Sequence, residues 1–357
     1  MIKVVEATAA DKSRWNDYVR THADATPYHN WAWLQSVEQA YGFKPVSWLA
    51  VDDKQELVGV LPASQLSVPL IGQSLCALPY CDVGGALADN DEIADSLLQA
   101  AMAYMKQQHI SKFEHRKGLT ATSDDGLVSQ EALEKAAKVR MLLPLPEDAH
   151  ALMASFKSKL RSQIRKAEKN GLTASVGRDK QHLEGFYQVY SRNMRDLGSP
   201  SHSRTWFENI VEHYQQDVII ANVYKEELVV GAGIVLFNGD ACSIPWASTH
   251  AEYNRLAPNM LLYWTLLEKA CDMGAKTFDF GRSTPGEGTF RFKQQWGAKP
   301  ALLDWQIYRD GHLQSPVAIT KNDETPGMRQ KVEKIWRQLP VPVATRLGSL
   351  IRKYISL

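Results

Sequence analysis

A chain of 357 residues exceeds what one hydrophobic core usually holds, about 250–300 residues, so two domains are expected. Hydrophobic residues make up 44% and charged residues 23%, the balance of a soluble globular enzyme, which excludes a disordered or fibrous chain. A net charge of +1 excludes a global pull toward nucleic acid or membrane. The charge is uneven, however: residues 328–357 carry seven cations against Glu333, net +6, and leave the rest of the chain at −5. The four cysteines lack the paired spacings of a zinc site, and they are too sparse for a disulfide framework. With no signal-peptide core at the start and no apolar run long enough for a membrane span, the expectation is a reduced, cytoplasmic protein. Any membrane it meets, it meets from the cytoplasmic side.

In chain order, residues 2–5 read as a strand and 11–20 as a helix that Asp11 could cap. Thr26-Pro27-Tyr28-His29 and Trp31-Ala32-Trp33 open a second helix that ends near Tyr41-Gly42. Strands at 46–51 and 57–64 flank the polar turn Asp52-Asp53-Lys54-Gln55, a hairpin pattern. A strand at 75–80 runs into Cys81-Asp82-Val83-Gly84-Gly85, followed by a helix at 91–109 and strands at 112–115 and 139–143. Pro144 and Pro146 mark a boundary.

The second half repeats this plan. Strands at 218–223, 228–237 and 241–247 precede a helix at 258–273 and a strand at 277–280. Gln55-Glu56-Leu57-Val58 matches Glu226-Glu227-Leu228-Val229, and the Leu97-Leu98 helix before Phe113 parallels the Leu261-Leu262 helix before Phe278. An internal duplication of a mixed α/β unit accounts for this. A basic helix over 155–171 opens the half, with Phe156, Leu160, Ile164 and Ala167 on one face and Lys157, Arg161, Arg165 and Lys169 on another. Residues 310–326 read as linker. The segment 342–357 places Leu347, Leu350, Ile351, Tyr354 and Ile355 at helical spacing beside Arg346, Arg352 and Lys353, a basic amphipathic pattern.

The chemistry concentrates at 279–297. A short strand ends in Gly281-Arg282-Ser283, a loop with Pro285, Gly286 and Gly288 follows, and a helix pattern then carries Phe290, Arg291, Phe292, Lys293 and Trp296. A strand end, small residues and free helix N–H groups make an anion-binding geometry, to which Arg282, Arg291 and Lys293 add charge. The bland alternative is a structural glycine turn with surface cations. Lys293 and Arg291 can neutralise phosphate or an oxyanion, Ser283 can donate to the same centre, and Asp279 is either a proton acceptor or a partner of Arg282. The 157–169 segment, with six cations against Glu168, favours polyanion contact over a merely solvated face. Gly84-Gly85 beside Tyr80 and Asp82 admits either the close approach of a ligand or a tight turn. Ser243-Ile244-Pro245-Trp246-Ala247-Ser248 ends a strand, and Tyr253-Asn254 precedes a helix start where the run 254–259 contains no glycine. That absence counts against an ordinary acyl-CoA pyrophosphate site. His29, His115, His202 and His250 have no metal-ligand spacing, and no GxSxG elbow occurs.

These motifs carry a resemblance. Thr26-Pro27-Tyr28-His29 with Trp33, Leu57-Val58-Gly59-Val60-Leu61-Pro62 and Pro79-Tyr80-Cys81-Asp82-Val83-Gly84-Gly85 take part in it. So do Arg161 with Ile164-Arg165-Lys166-Ala167, Asn193-Met194-Arg195-Asp196-Leu197-Gly198 and Glu252-Tyr253-Asn254. Phe278-Asp279-Phe280-Gly281-Arg282-Ser283 with Phe290-Arg291-Phe292-Lys293 and Trp296-Gly297 is its strongest part. Over nearly its whole length the sequence resembles the FemAB-related transferases, specifically the subgroup associated with exopolysaccharide and PEP-CTERM sorting systems.

The resemblance implies an α/β (α+β) chain of two tandem acetyltransferase-like (GNAT) domains with mixed sheets; with the boundaries read above these fall at 1–146 and 147–310, followed by the linker and amphipathic tail at 311–357. Characterised relatives transfer an aminoacyl group from aminoacyl-tRNA to an amine on a peptidoglycan precursor, so the resemblance implies N-acyl or aminoacyl transfer, and the acceptor expected here is an amine of a nucleotide- or lipid-linked envelope or exopolysaccharide precursor. It puts Phe292-Lys293 at the reacting centre and Arg161, Arg165 and Lys166 on substrate phosphates, and the reading of the loop itself adds Arg282, Arg291, Ser283 and Asp279 around that centre. Tyr80, Asp82, Gly84, Gly85, Asn193, Arg195, Trp246, Ser248, Tyr253, Asn254 and Trp296 complete the expected substrate site. No tightly bound cofactor and no metal are expected. The acyl donor, aminoacyl-tRNA, acyl-CoA or acyl carrier protein, is a co-substrate, and 342–357 is a candidate contact with anionic membrane. The other readings are acyl transfer from CoA or carrier protein to a small amine, and a non-catalytic binding protein of envelope assembly.

Overall fold

The computed structural model describes residues 2–69, 72–118, 128–314 and 326–356, and the chain forms two compact units. The first comprises Met1–Arg140, Pro300–Thr320 and Tyr354–Leu357; the second comprises Met141–Lys299 and Lys321–Lys353.

The first unit opens with β1 (Lys3–Glu6), α1 (Lys12–Thr21) and α2 (Trp31–Tyr41). Then come β2 (Lys44–Pro45), β3 (Trp48–Val51), β4 (Leu57–Leu61), β5 (Ser64–Val68), β6 (Gly72–Cys76) and β7 (Leu87–Ala88). α3 (Asp91–Gln108), β8 (Lys112–Gly118) and α4 (Gln130–Lys135) follow, and β9 (Val139–Pro144) leads into the second unit. There the chain forms α5 (Ala149–Ser155), α6 (Ser158–Lys169), β10 (Leu172–Gly177), α7 (Lys180–Leu197) and α8 (Arg204–Tyr214). It continues through β11 (Val218–Lys225), β12 (Leu228–Asn238), β13 (Ala241–Thr249), α9 (Pro258–Asp272), β14 (Thr277–Ser283) and α10 (Gly288–Gln295). β15 (Lys299–Arg309) and β16 (His312–Leu313) follow, then α11 (Pro326–Gln338) and α12 (Val341–Ile351).

Side-chain caps set several helix starts. Asn30, Asn90, Asp179 and Ser203 each accept from a backbone N–H in the first turn of α2, α3, α7 and α8. Asp11, expected to cap α1, instead accepts from Thr8 and Arg14.

In the first unit, β1, β3, β4 and β7 form one sheet, and β15, β8, β6, β5 and β2 lie in hydrogen-bonded order in another. In the second, β10 to β13 form an antiparallel meander, β14 joins β13 in parallel, and β9 lies beside β14. The duplication seen in the letters recurs as topology. β6 and β8 are parallel, pairing Leu75 with Phe113, and α3 lies between them in the chain. β13 and β14 are parallel, pairing Cys242 with Phe278, and α9 lies between them. A parallel pair needs such a crossover because its strands must start at the same end. Phe113 and Phe278 are both fully buried.

The structure departs from the sequence expectations where local chemistry breaks a pattern. The expected strand at 57–64 stops at Leu61, before Pro62, and Ser64 starts the β5–β6 hairpin. The strand at 75–80 stops at Cys76, because Leu78 and Tyr80 both take positive φ, +62° and +69°. The basic helix at 155–171 is two helices with Phe156 extended between them, buried although it is no longer on a helical stripe. The strand at 300–309 pairs with β8 and so groups with the first unit. The tail helix ends at Ile351, and α11 before it was not anticipated. Most of the segment read as linker, 315–325, lies outside the described residues.

The motif Thr26-Pro27-Tyr28-His29 acquires a physical meaning here. Thr26 N–H donates to His29 Nδ1, while His29 Nε2 lies 3.1 Å from the carbonyl of Gly85. His115 Nε2 accepts from Ala86 N–H on the other side of the same turn. Burial pushes both imidazoles down, His29 to about 3 and His115 to about 4, so both are neutral near pH 7.

Candidate active site

The site in the second unit begins with a break in a sheet. β13 and β14 pair only from Ala241–Thr277 to Ser243–Asp279, although β13 runs on to Thr249 and β14 to Ser283. Beyond Ser243 comes Pro245, which has no N–H for a ladder, and the register of β13 with β12 shifts there between Ile234 and Leu236. Past this bulge the end of β14 is no longer paired with β13.

That strand end is held in a defined shape. Gly281 takes a φ of +72°, which an L side chain resists. Its N–H donates to Asp279 Oδ1 at 2.8 Å, and its carbonyl accepts from Lys293 Nζ at 3.1 Å. Lys293 also donates to the carbonyl of Arg282 at 2.9 Å. Asp279 is 3% exposed and Lys293 8%, so a carboxylate and an ammonium are both buried against one short piece of backbone. The hydroxyls of Ser283 and Ser243 are buried and have no hydrogen-bond partner among the described residues.

α10 delivers Lys293 because its aromatic face is anchored. Phe292 meets Tyr263 of α9 edge-on at 5.0 Å, and Tyr263 stacks on Phe280 of β14 at 5.5 Å. Trp296, 1% exposed, packs against Phe156. It is therefore part of the core. Trp246 is likewise core, edge-on to Phe207 at 5.0 Å. Arg291 is exposed on α10, and Arg282 is half-buried. Gln295 of α10 donates to Gln163 of α6, so the helix bearing Arg161, Arg165 and Lys166 lies beside the one bearing Lys293. Arg165 and Lys166 are exposed, while Arg161 leans on the carbonyl of Ala154.

Other expected residues separate. Asn193 donates to Ser248 at 3.2 Å, and Tyr253 and Asn254 lie on the six-residue 3-10 helix, Ala251–Leu256, before α9. Arg195 pairs with Asp196 and donates to the carbonyl of Leu339, holding the tail. The start of α9 offers little to a pyrophosphate. Ala257 precedes it without a side-chain cap, Pro258 has no N–H, and the Met260 N–H is bonded to Ala257.

Tyr80, Asp82, Gly84 and Gly85 belong to the first unit. A Cβ on Gly84 would sit 2.4 Å from Leu78 Cβ, and one on Gly85 would sit 2.9 Å from His115 Nε2. Both glycines thus admit the protein's own chain. The Gly84 N–H donates to the carbonyl of Arg116 at 2.9 Å. Arg116 itself, absent from the sequence reading, is 2% exposed and pairs with Glu114 at 2.7 Å. The signal for it was Glu114-His115-Arg116, polar residues inside a strand whose neighbours are core. Among the described residues no group of His, Cys, Asp and Glu could hold a metal ion.

Comparison with known proteins agrees with this architecture. Residues 154–294, containing the parted strands and Lys293, match the family described as Acetyltransferase (GNAT) domain. The Lipid II:glycine glycyltransferase of Staphylococcus saprophyticus is 20% identical, over 78% of this chain and 87% of its own length. The crystal structure of FemX superposes with a TM-score of 0.64 at 16% identity, covering 93% of this chain and all of FemX (100%). A tandem GNAT protein from the clavulanic acid biosynthesis pathway gives a TM-score of 0.53 at 12% identity, over 87% of this chain and 99% of its own. The chain is an acyltransferase with a FemAB-like, tandem GNAT fold, its acetyltransferase-type domain lying in the second unit.

Proposed function

We propose that the protein transfers an aminoacyl or acyl group to an amine of a nucleotide- or lipid-linked precursor in cell-envelope or exopolysaccharide assembly, as a member of the PEP-CTERM-associated subgroup. The buried Lys293 ammonium at the end of β14 that has parted from β13 is the observation that carries this reading. The amine nitrogen forms a bond to the carbonyl carbon of the donor ester. The tetrahedral intermediate then expels the alcohol, which leaves with the proton lost by the nitrogen. Lys293 stabilises the oxyanion or an adjacent phosphate, Arg282 and Arg291 hold anionic groups, Ser283 donates a hydrogen bond, and Phe292 seats the reacting helix. Arg161, Arg165 and Lys166 bind a diphosphate. The second domain, 147–310, carries this chemistry, and Tyr80 and Asp82 of the first, 1–146, contact the acceptor. No protein base is assigned.

The relative named for glycyl transfer supports an aminoacyl donor, and the poor anion site at the start of α9 disfavours CoA. The match to an acetyltransferase family favours acyl-CoA or carrier protein instead. Incubation of the protein with an amine-bearing lipid- or nucleotide-linked precursor and either charged tRNA or acyl-CoA, read by mass spectrometry, separates them. Product with charged tRNA alone is expected; product with acyl-CoA alone overturns the donor assignment.

The tail supplies a membrane contact in this reading. α12 packs against α7, and its small residues Ala344 and Gly348 are buried, Gly348 against Pro200 and Ser201. Its large apolar residues stay outside, with Leu347 42%, Leu350 60% and Ile351 44% exposed, and Arg346 is exposed beside them. Val332 and Ile335 of α11 are exposed at 54% and 63%, between Lys331, Lys334 and Arg337. Apolar side chains bordered by cations suit the anionic cytoplasmic face of a membrane. Co-sedimentation with phosphatidylglycerol vesicles should fall to the level seen with phosphatidylcholine when Leu347, Leu350 and Ile351 are all changed to Ser, with the melting temperature unchanged. An unaltered bound fraction refutes the contact.

A further inference from the structure

Ser356 lies in the first unit and meets a group of donors and acceptors already held in place. Its carbonyl accepts from Tyr80 N–H at 2.6 Å and from Arg116 Nη1 at 3.0 Å. Its hydroxyl accepts from Arg116 Nη2 at 3.0 Å and donates to Glu114 Oε2 at 3.2 Å. The partners do not depend on Ser356 for their position. Arg116 Nη1 also donates to the carbonyls of Leu78 and Cys81, and Nη2 to Glu114, so the guanidinium is fixed by its own loop and strand. Its Nε is buried with no partner among the described residues. Tyr80 takes a φ of +69°, a conformation that costs a non-glycine residue energy, and in it the amide donates to Ser356.

One residue therefore uses an amide, a guanidinium and a carboxylate together, its carbonyl with two donors and its hydroxyl as both acceptor and donor. A bound peptide segment is read in this way, main-chain carbonyl and adjacent side-chain hydroxyl at once. We infer that Tyr80 N–H, Arg116 and Glu114 form a recognition site for a peptide segment carrying a hydroxyl beside a carbonyl, a serine or threonine residue, and that the protein fills this site with its own Ser356. The inference borrows from the proposed function only the idea that Tyr80 faces a ligand, and its test requires no turnover.

The test uses the protein ending at Lys353, and a synthetic peptide of the sequence Lys-Tyr-Ile-Ser-Leu, residues 353–357, with a fluorescent label at its N-terminus. The shortened protein should keep its circular dichroism spectrum and bind the peptide saturably, whereas the full chain should bind it at least tenfold more weakly because Ser356 competes. A peptide with Ala in place of Ser should bind the shortened protein about tenfold more weakly, as expected for loss of a hydrogen bond to charged groups. Absence of saturable binding to a folded shortened protein overturns the proposal, as does equal binding of the Ser and Ala peptides. A shortened protein that no longer folds also overturns it, since residues 354–357 would then be part of the fold and not an occupant of a site. Each of these outcomes is independent of whether the protein transfers aminoacyl or acyl groups.

Discussion

The Lys293→Met protein is expected to lose acyl-transfer turnover by roughly 10²–10³-fold, the usual cost of removing one preorganised charge from a developing oxyanion. Lys293 is 8% exposed, and its ammonium donates to the carbonyls of Gly281 and Arg282. Methionine keeps the aliphatic stem, so packing against α10's neighbours survives, but two carbonyls lose their donor at about 1–3 kcal/mol. A lower melting temperature is therefore part of the expectation, and the folded variant must be assayed below it. Two further variants separate charge from shape. Lys293→Arg retains the charge and should recover part of kcat. Asp279→Asn retains an oxygen to accept the Gly281 N–H and should lower turnover much less than Lys293→Met does. Full turnover by folded Lys293→Met would remove this residue from the chemistry.

The Arg116→Met protein should be less stable by about 3–5 kcal/mol, because one partner of a buried ion pair is removed and the other is stranded. Arg116 holds Glu114 at 2.7 Å and three backbone carbonyls, those of Leu78, Cys81 and Ser356. Burial by itself would raise the Glu114 carboxyl, yet the Arg116 and Lys112 charges hold it down at about 2. The folded value lies below the ordinary one near 4.5, so this stabilisation is complete above pH 4.5 and is lost as pH falls toward 2. In Arg116→Met that acid-labile contribution should shrink. Urea unfolding at pH 7 and at pH 3 measures both effects. Adding Glu114→Gln to Arg116→Met removes the stranded charge and should restore part of the loss. Stability within 1 kcal/mol of the parent at pH 7 would show that the pair is dispensable.

Much of the fold could be read from the letters because its periodicities are local. The helix at 91–109 and the one at 258–273 are long amphipathic patterns with clear ends, and α3 and α9 occupy nearly the same residues. The Leu97-Leu98 and Leu261-Leu262 correspondence anticipated two crossovers of the same kind: Leu97 and Phe113 share one core in the first unit, and Leu261, Leu262 and Phe278 are all buried in the second. Boundaries failed where a single residue changes the backbone, as at Pro62, Leu78 and Tyr80. Of the site, the glycine loop, the cations and Phe292-Lys293 were legible as composition. Their use was not: Lys293 reaches back across Ser283 to Gly281, a contact that no spacing rule gives. Trp246 and Trp296 looked like ligand aromatics because burial is invisible in one sequence, and the structure packs both into cores.

By itself, then, the sequence determined the two repeated α/β units, the cation-rich turn after the strand at 277 and the amphipathic basic tail. All of these follow from hydrophobic period, turn chemistry and charge within a few residues. Only the tertiary structure decided that Gly281 is held between Asp279 and Lys293, and that Gly84 and Gly85 make room for Leu78 and His115. It also decided that α12 turns its small residues inward and its leucines out, and that the last described residue of the chain lies on Tyr80 and Arg116. Such contacts join residues separated by up to 276 positions, as Tyr80 and Ser356 are. They depend on burial and hydrogen-bond geometry that exist only once the chain has closed on itself.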